Sequence, residues 1–145
     1  MQRRRVVITG MGAVTPLGNT VMDTWAGIRA GKSGVGKITL FDATGYPVQI
    51  AAEVKNFNLD VYGIDHKLVR KMARFTRFLT GACMEAVNDA GFTVESFRNE
   101  NAGIVTGVGI GGYDVIEDGF KKYCNPAMGV SRIPPLTAPM MLSNE

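Results

Sequence analysis

The stretch that decides the fold is VVITGMGAVTPLG, residues 6–18. Its first four residues are all β-branched and are followed by a glycine, a pattern that predicts a short buried strand. The glycines and the proline that come next predict a turn-rich loop. Thr20, with Asp23 three residues later, is a helix-start signal, and Gly31 stands where a helix end favours positive φ. The chain is therefore expected to open with a strand, a loop and a helix.

The middle of the chain continues the alternation. Residues 32–64 mix short β-prone pieces with glycine, proline and asparagine, and Gln49 to Val54 is the best strand candidate among them. From Asp65 to Gly91 the apolar spacing is helical, as two helices or one bent helix. The apolar stripe of this stretch consists of Phe75, Phe78, Leu79, Ala82, Cys83, Ala86, Val87 and Ala90. Such a stripe predicts a face packed against a core.

The last third of the chain repeats the opening pattern. Residues 103–106 predict a second buried strand, and a short helix is expected between Val115 and Phe120. The prolines of the tail exclude regular helix or central strand before Pro139. Strands that alternate with helices predict an α/β fold.

Composition bounds the function. The chain has 145 residues, of which 46% are hydrophobic and 20% charged, as in one soluble globular domain. No apolar run approaches the roughly 20 residues that span a bilayer, so no membrane partner is expected. A net charge of +3 does not indicate nucleic acid. Two cysteines supply neither a disulfide framework nor a zinc site, so the cytoplasm is the simplest location.

Positive charge is concentrated in one place. Five cations fall within eleven residues, namely Lys67, Arg70, Lys71, Arg74 and Arg77. On a single helix they would occupy an arc of roughly 120°, with no acidic residue between the first and the last. A solvated face is the ordinary interpretation of such a run. The mutual repulsion of the charges nevertheless favours an anionic partner, either a phosphate-bearing molecule or an acidic protein.

A glycine loop, GVGIGG at residues 107–112, matches the G-x-G-x-x-G pattern of dinucleotide-binding folds. That pattern requires an acidic residue about 20 positions later, and none lies between Asp118 and Glu145. A dinucleotide-binding oxidoreductase is therefore the weaker alternative. Tight turns and close backbone packing explain the glycines better, and a third possibility is that bare backbone lines a narrow pocket into which Ile110 projects.

Residues for catalysis are few. Cys83 is expected to be buried on the apolar stripe, Cys124 has no evident base beside it, and His66 is the only histidine. No C-x-x-C pair is present to bind a metal. The sequence therefore predicts no catalytic residue, no metal site and no cofactor within this stretch.

The segments together carry a family resemblance. The matching residues are 5–18 (RVVITGMGAVTPLG), Trp25, 28–34 (IRAGKSG), 41–42 (FD), 70–75 (RKMARF), Ala86, 89–91 (DAG), 107–112 (GVGIGG) and 134–135 (PP). The chain resembles the N-terminal part of an elongating β-ketoacyl–acyl-carrier-protein synthase, a condensing enzyme of the thiolase fold, and most of all the class II bacterial type. Ala73 departs from the family, which commonly has aspartate there.

The resemblance implies an α/β, thiolase-like architecture, of which residues 1–145 form the N-terminal portion without an internal boundary. A mixed sheet with helices is expected, incomplete in this portion. The implied activity is a decarboxylative Claisen condensation of acyl and malonyl groups in fatty acid elongation. The family's nucleophilic cysteine and two histidines match none of the residues here, so we expect this stretch to be about the first third of the enzyme and inactive alone. A non-catalytic homologue that lacks the cysteine is a further alternative.

The resemblance also assigns roles to residues. Docking of an acidic acyl carrier protein is implied for Lys67, Arg70, Lys71, Arg74 and Arg132. Ile110 corresponds to the residue that gates the acyl pocket, with Gly109 and Gly111 shaping the pocket beside it. The segment 134–142 resembles the dimer-facing end of that pocket, so a homodimer is expected.

Overall fold

The computed structural model describes residues 4–99, 102–125 and 133–142. Its contacts group the chain into two compact units, Met1–Asn58 with Gly81–Glu100, and Leu59–Thr80 with Asn101–Glu145. No helix within the described ranges is both long enough and apolar enough to cross a membrane. That residues 1–145 belong to a single domain without an internal boundary stays a prediction.

The first unit begins as the local signals predict, except for its strand. Helix α1 spans Val21–Arg29, and the Thr20 side chain caps it by accepting a hydrogen bond from the backbone N–H of Asp23. Strand β1 (Val35–Lys37) pairs antiparallel with β2 (Ile50–Ala52). Of the two, β2 lies inside the predicted 49–54 strand segment. These short strands form the one sheet among the described residues.

The two predicted buried strands at residues 6–9 and 103–106 are wrong. Both segments lack strand structure, and Val6 and Val105 are 93% and 99% exposed. A strand is stabilised by backbone hydrogen bonds to a neighbouring strand and by a face that packs on a core. No described strand pairs with either segment, so their β-branched residues remain in solvent.

Residues 65–91 form two helices, as one of the two alternatives proposed. Helix α2 spans His66–Val69 and helix α3 spans Arg74–Asp89. The apolar stripe is half-buried except at Cys83, and the buried residue of α3 is Gly81, which is not part of the stripe. The prediction that Cys83 is buried is wrong, because its side chain is exposed. Helix α4, which follows at Val94–Asn99, was not predicted from the sequence.

The second unit contains helix α5, which spans Tyr113–Tyr123 and confirms the predicted short helix. Among the described residues of this unit, Asp60–Tyr62 and Pro139–Met141 each form a 3-10 helix. The second of them contacts α5 and begins at the proline where the sequence first permits helical structure.

Candidate functional site

The N-terminal loop is fixed by carboxylates from α3. One oxygen of Glu85 accepts a hydrogen bond from the backbone N–H of Ala13 at 2.9 Å, and the other accepts from Val21 at 2.8 Å. Asp89 accepts from the backbone N–H of Met11 at 3.0 Å. Val21 is the first residue of α1, so the Glu85 carboxylate also lies at the positive end of that helix.

The glycines of this loop permit close approach to α3. A Cβ at Gly12 would overlap the carbonyl oxygen of Ala82, and one at Gly10 would overlap the carbonyl oxygen of Ala86. Helix backbone cannot move aside as a flexible side chain can. Close packing against α3 therefore requires glycine at both positions.

A third carboxylate performs the same task beside β2. Glu53 is buried and accepts hydrogen bonds from the Thr39 hydroxyl at 2.6 Å and the Thr39 N–H at 2.9 Å, with a longer one from Leu40. These bonds favour the charged form and hold the pKa of Glu53 below its ordinary value.

The second glycine loop, residues 107–112, is far more open. A Cβ at Gly107 or Gly109 would meet nothing within 4 Å. Only at its end does the loop pack closely, where a Cβ at Gly111 would come within 2.7 Å of the Phe75 ring. Ile110, the predicted gate, is 72% exposed. Gly109 and Ile110 therefore present an accessible surface shortly before α5, whereas Gly111 packs against Phe75.

The predicted single arc of five cations is wrong. Helix α2 ends at Val69 and α3 begins at Arg74, so the cations lie on two helices and the turn between them. A single helix would require residues 70–73 to continue α2, but these residues form a turn instead.

The cations separate into two groups. Lys67, Arg70 and Lys71 are exposed. Arg74 is half-buried, with its guanidinium 5.2 Å from the centre of the Phe78 ring, a cation–π contact. Arg77 donates a hydrogen bond from Nε to the Met72 carbonyl at 3.0 Å. The first group is free to meet a partner, whereas the second also stabilises α3. Arg132 lies outside the described residues.

A groove in the second unit adds a cation that the sequence did not single out. It has a volume of about 280 Å³ and is lined by Arg70, Lys71, Val115, Asp118, Gly119, Lys122, Pro134, Leu136, Thr137 and Met140. Lys122 was missed because α5 is remote in sequence from the 67–77 cluster. Its neighbour Lys121 differs, because it forms an ion pair with Glu117 at 2.6 Å, which raises the pKa of Lys121.

A second groove of the same unit is almost wholly apolar. Its volume is about 380 Å³, and it is lined by Ile116, Gly119, Phe120, Tyr123, Ile133, Thr137 and Met141. Phe120 and Tyr123 remain 64% and 56% exposed along this side of α5.

The residues considered for catalysis do not form a constellation. Cys83 is exposed on α3, Cys124 is exposed directly after α5, and His66 is the exposed first residue of α2. Within the described ranges, no group of three histidine, cysteine, aspartate or glutamate side chains is arranged to hold a metal ion.

Comparison with known proteins defines the class. Residues 3–144 match the family model described as "Beta-ketoacyl synthase, N-terminal domain". The chain belongs to this family. The resemblance deduced from the sequence motifs is thereby confirmed.

Individual relatives agree with the family. The chain is 38% identical over 144 residues to 3-oxoacyl-[acyl-carrier-protein] synthase 2 of Synechocystis, covering 99% of this chain and 34% of the relative. It is 40% identical over 141 residues to the protein of that name from Staphylococcus aureus strain COL, covering 97% and 33%. The Coxiella burnetii protein of the same name is 40% identical over 144 residues, covering 99% and 34%. The chain spans about a third of the length of these relatives.

Solved structures confirm the fold. The ishigamide ketosynthase/chain length factor matches with a TM-score of 0.78 at 30% identity, covering 97% of this chain and 34% of the other. A β-ketoacyl synthase from Burkholderia phymatum matches with a TM-score of 0.76 at 26% identity, over the same shares of the two chains. The α/β, thiolase-like fold predicted from the sequence is therefore confirmed for this stretch.

Proposed function

We propose that the protein containing this chain is a β-ketoacyl–acyl-carrier-protein synthase that elongates fatty acids in the cytoplasm. The observation that carries this proposal is the family match over residues 3–144. In the proposed reaction a cysteine thiolate takes the acyl group from one carrier thioester, and the carrier thiol leaves. A malonyl thioester then loses CO₂, and its carbanion attacks the acyl-cysteine, forming a C–C bond and releasing the thiol.

In that reaction, this chain would contribute the docking of the substrate-bearing carrier protein and part of the pocket for the acyl group. We propose that Lys67, Arg70 and Lys71 dock the acidic acyl carrier protein, with Arg74 and Arg132 completing the set. The exposure of the first three supports this role. Complementary charge accelerates encounter and selects the partner more than it strengthens the final complex.

The glycine loop at residues 107–112 fits the second role, the formation of the acyl pocket. We propose that Ile110 gates the acyl pocket and that Gly109 and Gly111 shape it. Gly109 faces open space, so bare backbone leaves room for an alkyl chain there. Closing or opening of such a gate needs an unpacked side chain, and Ile110 is largely exposed.

A homodimer is the proposed assembly. The apolar groove along α5 and the exposed rings of Phe120 and Tyr123 support it, because large apolar side chains in solvent are typical of surfaces that a partner covers.

An assay of the complete gene product with acyl- and malonyl-carrier proteins tests the function. Release of CO₂ together with a 3-ketoacyl thioester is expected. The encoded polypeptide must then supply a reactive cysteine and two histidines. Binding of carrier protein without CO₂ release would instead favour a non-catalytic homologue. Tight binding of a nicotinamide dinucleotide in calorimetry, without carrier binding, would contradict the proposal and revive the oxidoreductase alternative.

A further inference from the structure

We infer that Lys122 of α5 is a carrier-docking residue, and that with Arg70 and Lys71 it forms a cationic groove receiving one amphipathic, acidic edge of the carrier protein. The inference rests on the proposed function, since it names a contact surface for the partner proposed there. We call this feature the α5 groove, defined by the ten lining residues given above.

The three cations come from two parts of the second unit. Arg70 and Lys71 lie in the turn that follows α2, and Lys122 lies in the last turn of α5. Each lines the same groove of about 280 Å³. The positive charge is therefore gathered around a concave surface, where the field of neighbouring charges is focused.

These cations are not neutralised within the described part of the chain. Arg70, Lys71 and Lys122 form no ion pair there, and Asp118 is the one acidic side chain that lines the groove. The rim thus keeps a formal excess of two positive charges, three cations against one carboxylate. An acidic partner would relieve their repulsion.

The rest of the lining identifies the kind of acidic partner. Val115, Leu136 and Met140 give the groove aliphatic walls, and none of its lining residues is aromatic. Single-stranded nucleic acid would require aromatic platforms on which its bases stack. Free phosphate would leave the aliphatic surface uncovered. A protein edge that carries carboxylates on either side of an apolar side chain satisfies both parts of the groove.

Charge reversal at two adjacent lysines tests the inference. In the complete gene product, Lys122→Glu is expected to weaken affinity for acyl carrier protein at low salt about fivefold or more, since it places a like charge beside the partner's carboxylates. The control is Lys121→Glu, one residue away on the same helix, whose lysine pairs with Glu117 and does not line the groove. The control is expected to change affinity less than about twofold. Lys122→Arg should retain binding.

The outcomes separate this inference from the proposed function. If wild-type protein does not bind carrier protein, both fail. If Lys67→Glu with Arg70→Glu weakens binding but Lys122→Glu does not, only the inference is overturned. Equal loss in Lys121→Glu and Lys122→Glu would show a general effect of net charge and would also overturn it. Should Lys122→Glu lower the melting temperature strongly, Lys122→Gln replaces it, with a loss of about twofold expected and unchanged affinity counting against the inference.

Discussion

The chain contains two glycine-rich loops that look alike in sequence and differ in structure. In the first, residues 10–18, carboxylates of α3 hold the backbone, and Gly10 and Gly12 lie directly on the helix backbone. In the second, residues 107–112, Gly107 and Gly109 face open space and the loop packs closely only at its end. The pattern of glycines is therefore a poor guide to role. What distinguishes the loops is whether another element occupies the space that a Cβ would take.

The largest expected effect comes from Gly12→Ala. The added methyl group would overlap the Ala82 carbonyl oxygen, which is held in place by the backbone of α3. Stability should therefore fall by about 3 kcal/mol. Gly109→Ala is the control and should change stability by less than about 0.5 kcal/mol, because nothing lies within 4 Å. Denaturant midpoints of the two variants measure this. Equal midpoints for the two variants would contradict the conclusion that the first loop is closely packed and the second is open.

The next effect concerns the carboxylate that fixes the first loop. Glu85→Gln leaves one oxygen to serve the N–H groups of both Ala13 and Val21, and turns an amide donor toward one of them. We expect a loss of about 1–2 kcal/mol in chemical denaturation. Asp89→Asn should cost less, since Asp89 holds a single N–H in an exposed position. A Glu85→Gln variant as stable as wild type would mean that glycine packing alone fixes the loop.

A smaller effect is expected on the pH dependence of stability, through the carboxylate of Glu53. Its pKa is lowered in the folded state, so its stabilising contribution is present above the ordinary glutamate pKa near 4.5 and is lost as pH falls through the lowered folded value. Denaturation midpoints below pH 5 should therefore fall more steeply for wild type than for Glu53→Gln. Parallel pH profiles would contradict this role.

The smallest expected effect on stability is at the open loop. Ile110→Phe should leave the denaturation midpoint unchanged, because the side chain is largely in solvent. In the complete gene product it should shorten the acyl chains accepted, since a ring fills more of the proposed pocket. Product chain lengths measured by mass spectrometry test this. An unaltered profile would remove Ile110 from the proposed gate.

Local signals explain what the sequence could predict. The Thr20 cap predicted α1, and the spacing up to Gly91 predicted the helical stretch, because helix signals lie within a few residues of each other. The segments 6–9 and 103–106 were wrongly predicted as strands, because a strand depends on partners far away in sequence.

The candidate site shows the same division. The exposed cations Lys67, Arg70 and Lys71 stand out in the sequence as a cluster. Lys122 does not, because only packing of α5 and the 134–140 segment brings it to the same groove. The 70–73 turn that divides the five cations was equally hidden, since their spacing alone fits one continuous helix.

The central claim is that exposed positive charge after residue 65 recruits an acidic carrier protein. Its most direct test is the affinity of the complete gene product for acyl carrier protein at low and at high salt, with and without Lys67→Glu plus Arg70→Glu. The wild-type affinity should fall as salt is raised, and the double variant should bind about tenfold more weakly at low salt with an unchanged melting temperature. Equal affinities of the two proteins at low salt would contradict the claim.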